Sequence, residues 1–426
     1  MRLPVLPSRR HKSFRAVLLS ASVLAAGCDP QQAPSSPDDP SPSAPPVDEL
    51  HSGLASCART LTADVVALDQ VITYNRFGSF NPVGMIYALK RDVVAVDPSF
   101  PPGPGNARLR DGKRPRPLTL RANVGDCLQV RFTNWLAPTR ELIPLHGVPD
   151  WAENLPPEEP EPGEEPEPGN GDMRSDSPAT RLASFHVNGL QALDIMSDGS
   201  NVGFNWSSLA RPGETRVYNW HAGREGAFYV ESLGAPVGGE GMGGSTTHGL
   251  FGAVNVEPAG SVWYRSQVTA EQLAAATRKD PHTGQPLKNP DGTPLINYDA
   301  VDAAGIPILR MTTAGGEIVH GDVNAIISGY TSTGMNSSVS LNEGRFREFT
   351  VIFHDEMKAV QAFEELEVRP MLHGVRDGFG INYGASGLGS ELLANRKKVG
   401  PTKNCAECKF EEFFLESWAN GDPALN

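Results

Sequence analysis

The sequence predicts an all-β protein of tandem sandwiches, and three observations carry that prediction. Between Ser184 and Glu257 each apolar run is short and bounded by Gly, Pro, Asn or Asp, the pattern of strands joined by turns in a sandwich. The chain of 426 residues carries 44 Gly and 37 Pro, a loop-rich composition. The clear helix signal is confined to Thr269–Lys279, with Thr269 as N-cap and Glu271 in the first turn. The length allows two to three domains with ample apolar content for their cores. A formal charge of −13 argues against nucleic-acid binding.

Residues 1–28 read as an export signal. Arg9, Arg10, Lys12 and Arg15 form a basic start, and Ala16–Gly27 is apolar but too short to span a bilayer. The run closes on Leu24-Ala25-Ala26-Gly27-Cys28, which is similar to a bacterial lipoprotein cleavage box with Cys28 as the lipidated residue. An ordinary signal peptide with an incidental cysteine is the alternative. Ser8-Arg9-Arg10 hints at twin-arginine export. Residues 29–54, rich in Pro, Ser and Asp, predict a disordered tether that would hold a lipid-anchored domain off a membrane, in the periplasm or at the cell surface.

The first folded domain spans 55–260. Val65–Leu68, Gln70–Tyr74, Met85–Leu89 and Asp92–Val96 read as strands. Leu128, Val130 and Phe132 alternate onto one face after a Gly125-Asp126 turn. The segment 152–172 is dominated by Glu, Pro and Gly and cannot bury apolar area. It is either a neutral loop insertion or a cation-capturing one. Four pieces then follow in fixed order: His186-Val187-Asn188-Gly189-Leu190-Gln191; Asp198-Gly199; Pro212-Gly213 before Val217-Tyr218-Asn219-Trp220; and Gly226-Ala227-Phe228-Tyr229 leading to Gly249-Leu250-Phe251-Gly252.

The second domain spans 261–426. After the helix come turns at Pro290–Gly292 and Ala314–Gly316, a strand at Phe349–Phe353, and Gly378–Gly384.

The order of the four pieces resembles the first cupredoxin domain of multicopper oxidases, and the likeness extends over roughly residues 55–426. The second half is similar to large bacterial members of the manganese-oxidase and ceruloplasmin-like kind. The resemblance implies two cupredoxin-like Greek-key sandwiches, the second apparently truncated. It further implies copper as cofactor, and oxidation of metal ions or phenols coupled to dioxygen reduction. In that family the first motif is a His-x-His pair, where this chain has His186 and Asn188. The second pair falls on Glu231 and Leu233. Three of four ligand positions are therefore substituted, and only His186 remains as a candidate metal ligand. Its alternative is a hydrogen-bonded structural histidine. His146, which has no counterpart in the family, and His221 could assist it; the alternative for His221 is a turn residue, and Met242 reads as a loop residue.

Such oxidases need a type 1 copper held by two His and a Cys, and a trinuclear cluster held by His-x-His pairs. None of the ten histidines is followed within two residues by another. The chain alone is expected to hold neither centre. Of the five cysteines, Cys28 is assigned to lipid. Cys57 and Cys127 lie in one domain of an exported protein, where a disulfide is the default. Cys405 and Cys408 stand at Cys-x-x-Cys spacing, without the second pair that zinc would need, and read as a local disulfide.

Three functional readings follow. The chain is the N-terminal part of a larger oxidase, cut short by a premature stop, a split gene (its C-terminal half then separately encoded) or a wrong gene model. Or it is a non-catalytic surface lipoprotein that binds another protein. Or it is a one-site copper-binding protein centred on His186.

Overall fold

The computed structural model describes residues 56–74, 79–144, 178–204, 206–236, 238–239, 242–329, 345–357, 360–361 and 378–384. Cys28, the tether, the 152–172 insert, His146, Cys405 and Cys408 lie outside the described residues, as does the side chain of Met242.

Side chains alternate between the two faces of each strand, and the inward-facing ones build two sheets onto one core. Sheet one contains β1 (Thr60–Asp69), β2 (Met85–Leu89), β4 (Cys127–Asn134), β6 (Gln191–Ala192) and β7 (Thr215–His221). Their order is β6-β7-β4-β1-β2. Sheet two contains β3 (Leu118–Asn123), β5 (His186–Val187), β8 (Gly226–Glu231) and β9 (Phe251–Glu257), in the order β3-β9-β8-β5. The pairs β1/β4 and β9/β3 are parallel and the remainder antiparallel. The two sheets interleave non-sequential strands and share one core, so the fold is the all-β sandwich that the turn-bounded runs predict.

Leu61, Ala63, Val65 and Ala67 of β1 point into the core between the sheets, with Tyr87, Leu120, Val130, Phe132, Trp220, Phe228, Val230 and Val254. Val66 and Leu68 point to the other face and join a second apolar cluster with Ile86, Ala88, Trp135 and Phe251. A strand buried on both faces has no polar alternation, which is why 65–68 reads as a continuous apolar run. The strand begins five residues earlier than that run, because Leu61 and Ala63 alternate with half-buried Thr62 and Asp64.

A disulfide joins Cys57 to Cys127 across 70 residues, with Cα atoms 5.3 Å apart. It ties the approach to β1 to the start of β4. The Gly125-Asp126 turn beside it is fixed twice: Asp126 accepts from the Asn123 amide at 2.8 Å and pairs with Arg59 at 2.9 Å.

Beyond residue 260 the chain forms a third sheet of β10 (Val262–Arg265), β11 (Asn324–Ser328) and β12 (Arg345–Phe349), all antiparallel. Trp263, Met311, Ile318, Ala325 and Ile327 belong to the same core as the sandwich. Trp263 Nε1 donates to Asn123 Oδ1 at 3.1 Å. All described residues lie in one compact unit, Gly53–Asn426, and this core runs across the 260/261 division expected from the sequence.

The helix α1 (Ala270–Ala275) is capped by Thr269, whose hydroxyl accepts from the Gln272 amide while the Gln272 side chain accepts from the Thr269 amide. This reciprocal cap satisfies two orphan donors. The helix ends short of Lys279 because the chain turns at Thr277 to bridge Ile296. Phe349–Phe353, read as one strand, is divided. β12 ends at Phe349, and a separate strand runs over Phe353–Met357 against Gly378–Ile381. Between them the Thr350 amide donates to Val323 and the Ile352 amide to Asn382 Oδ1, so this run carries the chain from one sheet to the next. Asp92–Val96 is likewise shorter than expected: a 3-10 turn over Lys90–Asp92 precedes a two-residue strand, Val93–Val94.

Candidate functional site

β5 is an edge strand, held to β8 with Val187 opposite Val230 and His186 opposite Glu231. Side chains alternate along a strand. Val187 and Val230 therefore enter the core while His186 and Glu231 come to the half-buried side. The same period brings Asn188 beside Glu231.

The site is a hydrogen-bonded patch. Asn188 Nδ2 donates to Glu231 Oε1 at 2.8 Å. His186 Nδ1 lies 2.5 Å from the backbone oxygen of Asp198. A carbonyl only accepts, so this nitrogen carries a proton. The ring sets its edge against Trp220, with centroids 5.6 Å apart. Leu233 donates its amide to Ser184 Oγ at 3.0 Å, and its side chain offers no donor atom.

Asp198, in the expected Asp-Gly turn, uses its carboxylate to fasten its own loop. Its carboxylate accepts from the Ser200 amide at 3.0 Å, from Ser208 Oγ at 2.8 Å and from the Ser200 hydroxyl. Burial works against its ionised form, but the hydrogen bonds from Ser200 and Ser208 outweigh it and hold the carboxyl below its ordinary range.

The other histidines are placed elsewhere. Trp220 reaches His186, so His221, next along β7, projects to the other side of sheet one and does not join it. His248 is buried with Nδ1 3.3 Å from Asn81 Nδ2. His320 Nε2 lies 2.7 Å from the Pro307 oxygen, and burial, aided by the charge on Arg265, pushes its pKa down to about 4. His354 Nε2 bonds the Thr246 oxygen at 2.9 Å and its ring packs on Phe251. Among the described residues no three His, Cys, Asp or Glu side chains converge as a metal site.

The donor set does not fit copper. It offers one imidazole nitrogen, an amide already bonded to a carboxylate, and an aliphatic side chain, where copper chemistry favours several imidazoles or a thiolate.

A second polar constellation was not legible in the sequence. Arg121, on the outer face of β3, has a side chain only 1% exposed. It donates to the Asp322 and Val323 oxygens at 2.8 and 3.2 Å and to Glu348 Oε1 at 2.5 Å. Glu257, at the end of β9, is buried and shares a hydrogen bond with Glu348. Burial first, then that bond and the Glu348 charge, push the Glu257 carboxyl up to about 9. Burial also opposes ionisation of Glu348, but the Arg121 guanidinium overrides it and Glu348 carries the charge.

No family model matches this chain, and no curated protein matches it. Among solved structures it is similar to a multicopper oxidase from Pseudomonas thermotolerans, at 16% identity and a TM-score of 0.25, over 47% of this chain and 30% of that one. It is also similar to Fet3p, a multicopper oxidase that functions in iron import, at 14% identity and a TM-score of 0.26, over 47% of this chain and 23% of that one. A copper nitrite reductase from Nitrosomonas europaea gives 16% identity and a TM-score of 0.24, over 47% and 42%. The matched part thus spans less than half the length of each of these proteins.

Proposed function

We propose that this chain is a non-catalytic β-sandwich module, exported and lipid-anchored through Cys28, in which the positions that bear copper ligands in multicopper oxidases serve as structural contacts. One observation carries the reading: Asn188 and Glu231 satisfy each other at 2.8 Å, beside a His186 whose Nδ1 is committed to Asp198. Copper sites are built from several imidazoles or a thiolate, and one imidazole beside an amide and a carboxylate does not supply them.

The test is metal analysis of the purified chain after copper loading and dialysis, with an optical spectrum and oxidase assays on phenols, Fe(II) and Mn(II). Less than one tightly held copper, no intense blue absorption and no turnover are expected. Several coppers per chain would overturn the proposal.

A second reading, that the chain works with a separately encoded oxidase half, is favoured by the exposed apolar residues Ile195, Val202, Phe204 and Trp206 around the Asp198 turn. Apolar side chains grouped at a surface suit a covering partner. A neighbouring reading frame with His-x-His and His-Cys-His motifs would favour this second reading; an unrelated neighbour favours the first.

A further inference from the structure

The loop between β6 and β7 joins a fastened polar base to an apolar tip. The Ser208 amide donates to the Ser200 oxygen at 2.9 Å, which closes residues 201–207 into a loop. The Asp198 carboxylate holds both arms of that base, one through the Ser200 amide and hydroxyl and the other through Ser208 Oγ. Two further bonds tie the base to β7. The Asn219 amide donates to Ser197 Oγ at 2.8 Å, and the Tyr218 hydroxyl donates to the Ser208 oxygen at 2.6 Å.

The tip has the opposite chemistry. Val202 is 61% exposed, Trp206 70%, and Phe204 fully. Gly203, at φ +59°, turns the chain between Val202 and Phe204. From Ile195 to Ala210 the one ionisable side chain is Asp198, and it is spent on the base. Three large apolar side chains therefore stand in water on an uncharged tip, which is unfavourable unless something covers them.

We propose that this loop inserts Val202, Phe204 and Trp206 into the headgroup boundary of a lipid bilayer, as an orienting contact beside the lipid on Cys28. The inference rests on the proposed export and lipid anchoring, which bring the loop to a membrane. Residues 29–55 reach about 90 Å at full stretch, so the tether lets the sandwich turn this loop toward the bilayer. Phe and Trp favour the boundary between acyl chains and headgroups. A loop of this length projects by at most about 10 Å, which matches the depth of that boundary. Water still reaches the backbone of the tip there, whereas deeper in the hydrocarbon its polar groups would lose their partners. A bilayer closes around a convex tip without a matching pocket. Because the anchor already holds the chain at the surface, weak insertion is enough to orient it.

The probe is vesicles of phosphatidylcholine, sedimented with the chain from Asp29 onward. That chain carries no lipid and keeps the whole compact unit Gly53–Asn426, so the assay reads the loop and not the anchor. The bound fraction should rise with lipid up to millimolar concentration, and F204S/W206S should lower the partition coefficient by about tenfold or more. Both side chains are exposed, so the variant keeps the fold, and thermal melts check it. No binding to these vesicles, the result expected if a protein covers the loop instead, would overturn the proposal. Undiminished binding by F204S/W206S would overturn it too, as would binding confined to anionic lipid, which would place the contact on basic side chains. Failure of the anchor shows separately, as unchanged membrane retention of Cys28→Ser in cells, and leaves the vesicle result as it is.

Discussion

Replacing Glu257 with Gln should flatten the dependence of this protein's stability on pH. In the Arg121 cluster one guanidinium faces two carboxyls, and the second charge is not compensated. Glu348, bonded directly to Arg121 through Nε at 2.9 Å and Nη2 at 2.5 Å, holds the charge. Glu257 keeps its proton, up to about 9 against an ordinary 4.5. Between those values the native chain holds a proton that the unfolded chain has released, so stability falls as pH rises through the window, by up to about 1.4 kcal/mol per pH unit. From about pH 6 to about pH 8 the loss from this group is at most about 2.7 kcal/mol. Glu348 works in the opposite sense and in another range: its carboxyl is held down, so its contribution is lost only as pH falls below the ordinary carboxylate range. In E257Q the new side chain would keep the shape and still donate to Glu348 from its amide, with nothing to titrate. Urea unfolding of wild type and E257Q, followed by tryptophan fluorescence at several pH values across the window, measures the difference between the two slopes. Identical slopes would refute the assignment of the proton to Glu257. E348Q is the complement: it removes the charge that helps to keep the proton on Glu257 and leaves Glu257 as the counter-charge for Arg121, so it too should flatten the slope.

The remaining expectations concern the disulfide, the anchor and the rebuilt site. C57S/C127S should lose about 4 kcal/mol, because the bond closes a loop of 70 residues in the unfolded chain; equal denaturation midpoints for oxidised wild type and variant would count against that. Cys28→Ser should release the protein from the membrane fraction or leave it unprocessed, and unchanged membrane association would sink the lipid-anchor proposal. Asn188→Ala should cost about 1 kcal/mol or less, since its bond to Glu231 is solvent-exposed; a loss of several kcal/mol in the same unfolding assay would show that the contact supports the fold. The triple variant N188H/E231H/L233H should gain tightly held copper relative to wild type by metal analysis, and no gain would mean that the backbone no longer aims these positions at one point.

Much of the fold is legible because the sandwich is built on period two. Leu128, Val130 and Phe132 alternate with Gln129 and Arg131 in the sequence, and the structure buries the first three at 0% exposure. The failures share a cause: an apolar run says that residues are buried, not that they share a strand. Ile352 is buried, yet Phe349 and Phe353 on either side are 48% and 76% exposed, because the chain there is crossing between sheets. Arg121 shows the converse. Leu118, Leu120 and Ala122 fix the inward face of β3, which assigns Arg121 to solvent by alternation. The third sheet covers that outer face, and only tertiary packing could reveal it.

The site is legible position by position but not as a set of contacts. His186, Asn188 and Glu231 are found by motif order. That Asn188 bonds Glu231, 43 residues away, depends on the register of β5 against β8, which a two-residue edge strand does not announce. The same register separates the buried positions of these strands from the outer ones. Val187, Phe228 and Val230 supply the buried side of these strands, while His186, Asn188 and Glu231 stand on the half-buried or exposed side. Burial free energy scales with apolar area removed from water, so the strands lose little when a donor on the outer side changes. A metal site has no such tolerance, because one missing imidazole changes both ligand count and geometry. On these strands the sandwich rests on Val187, Phe228 and Val230, and the positions between them can change without disturbing it.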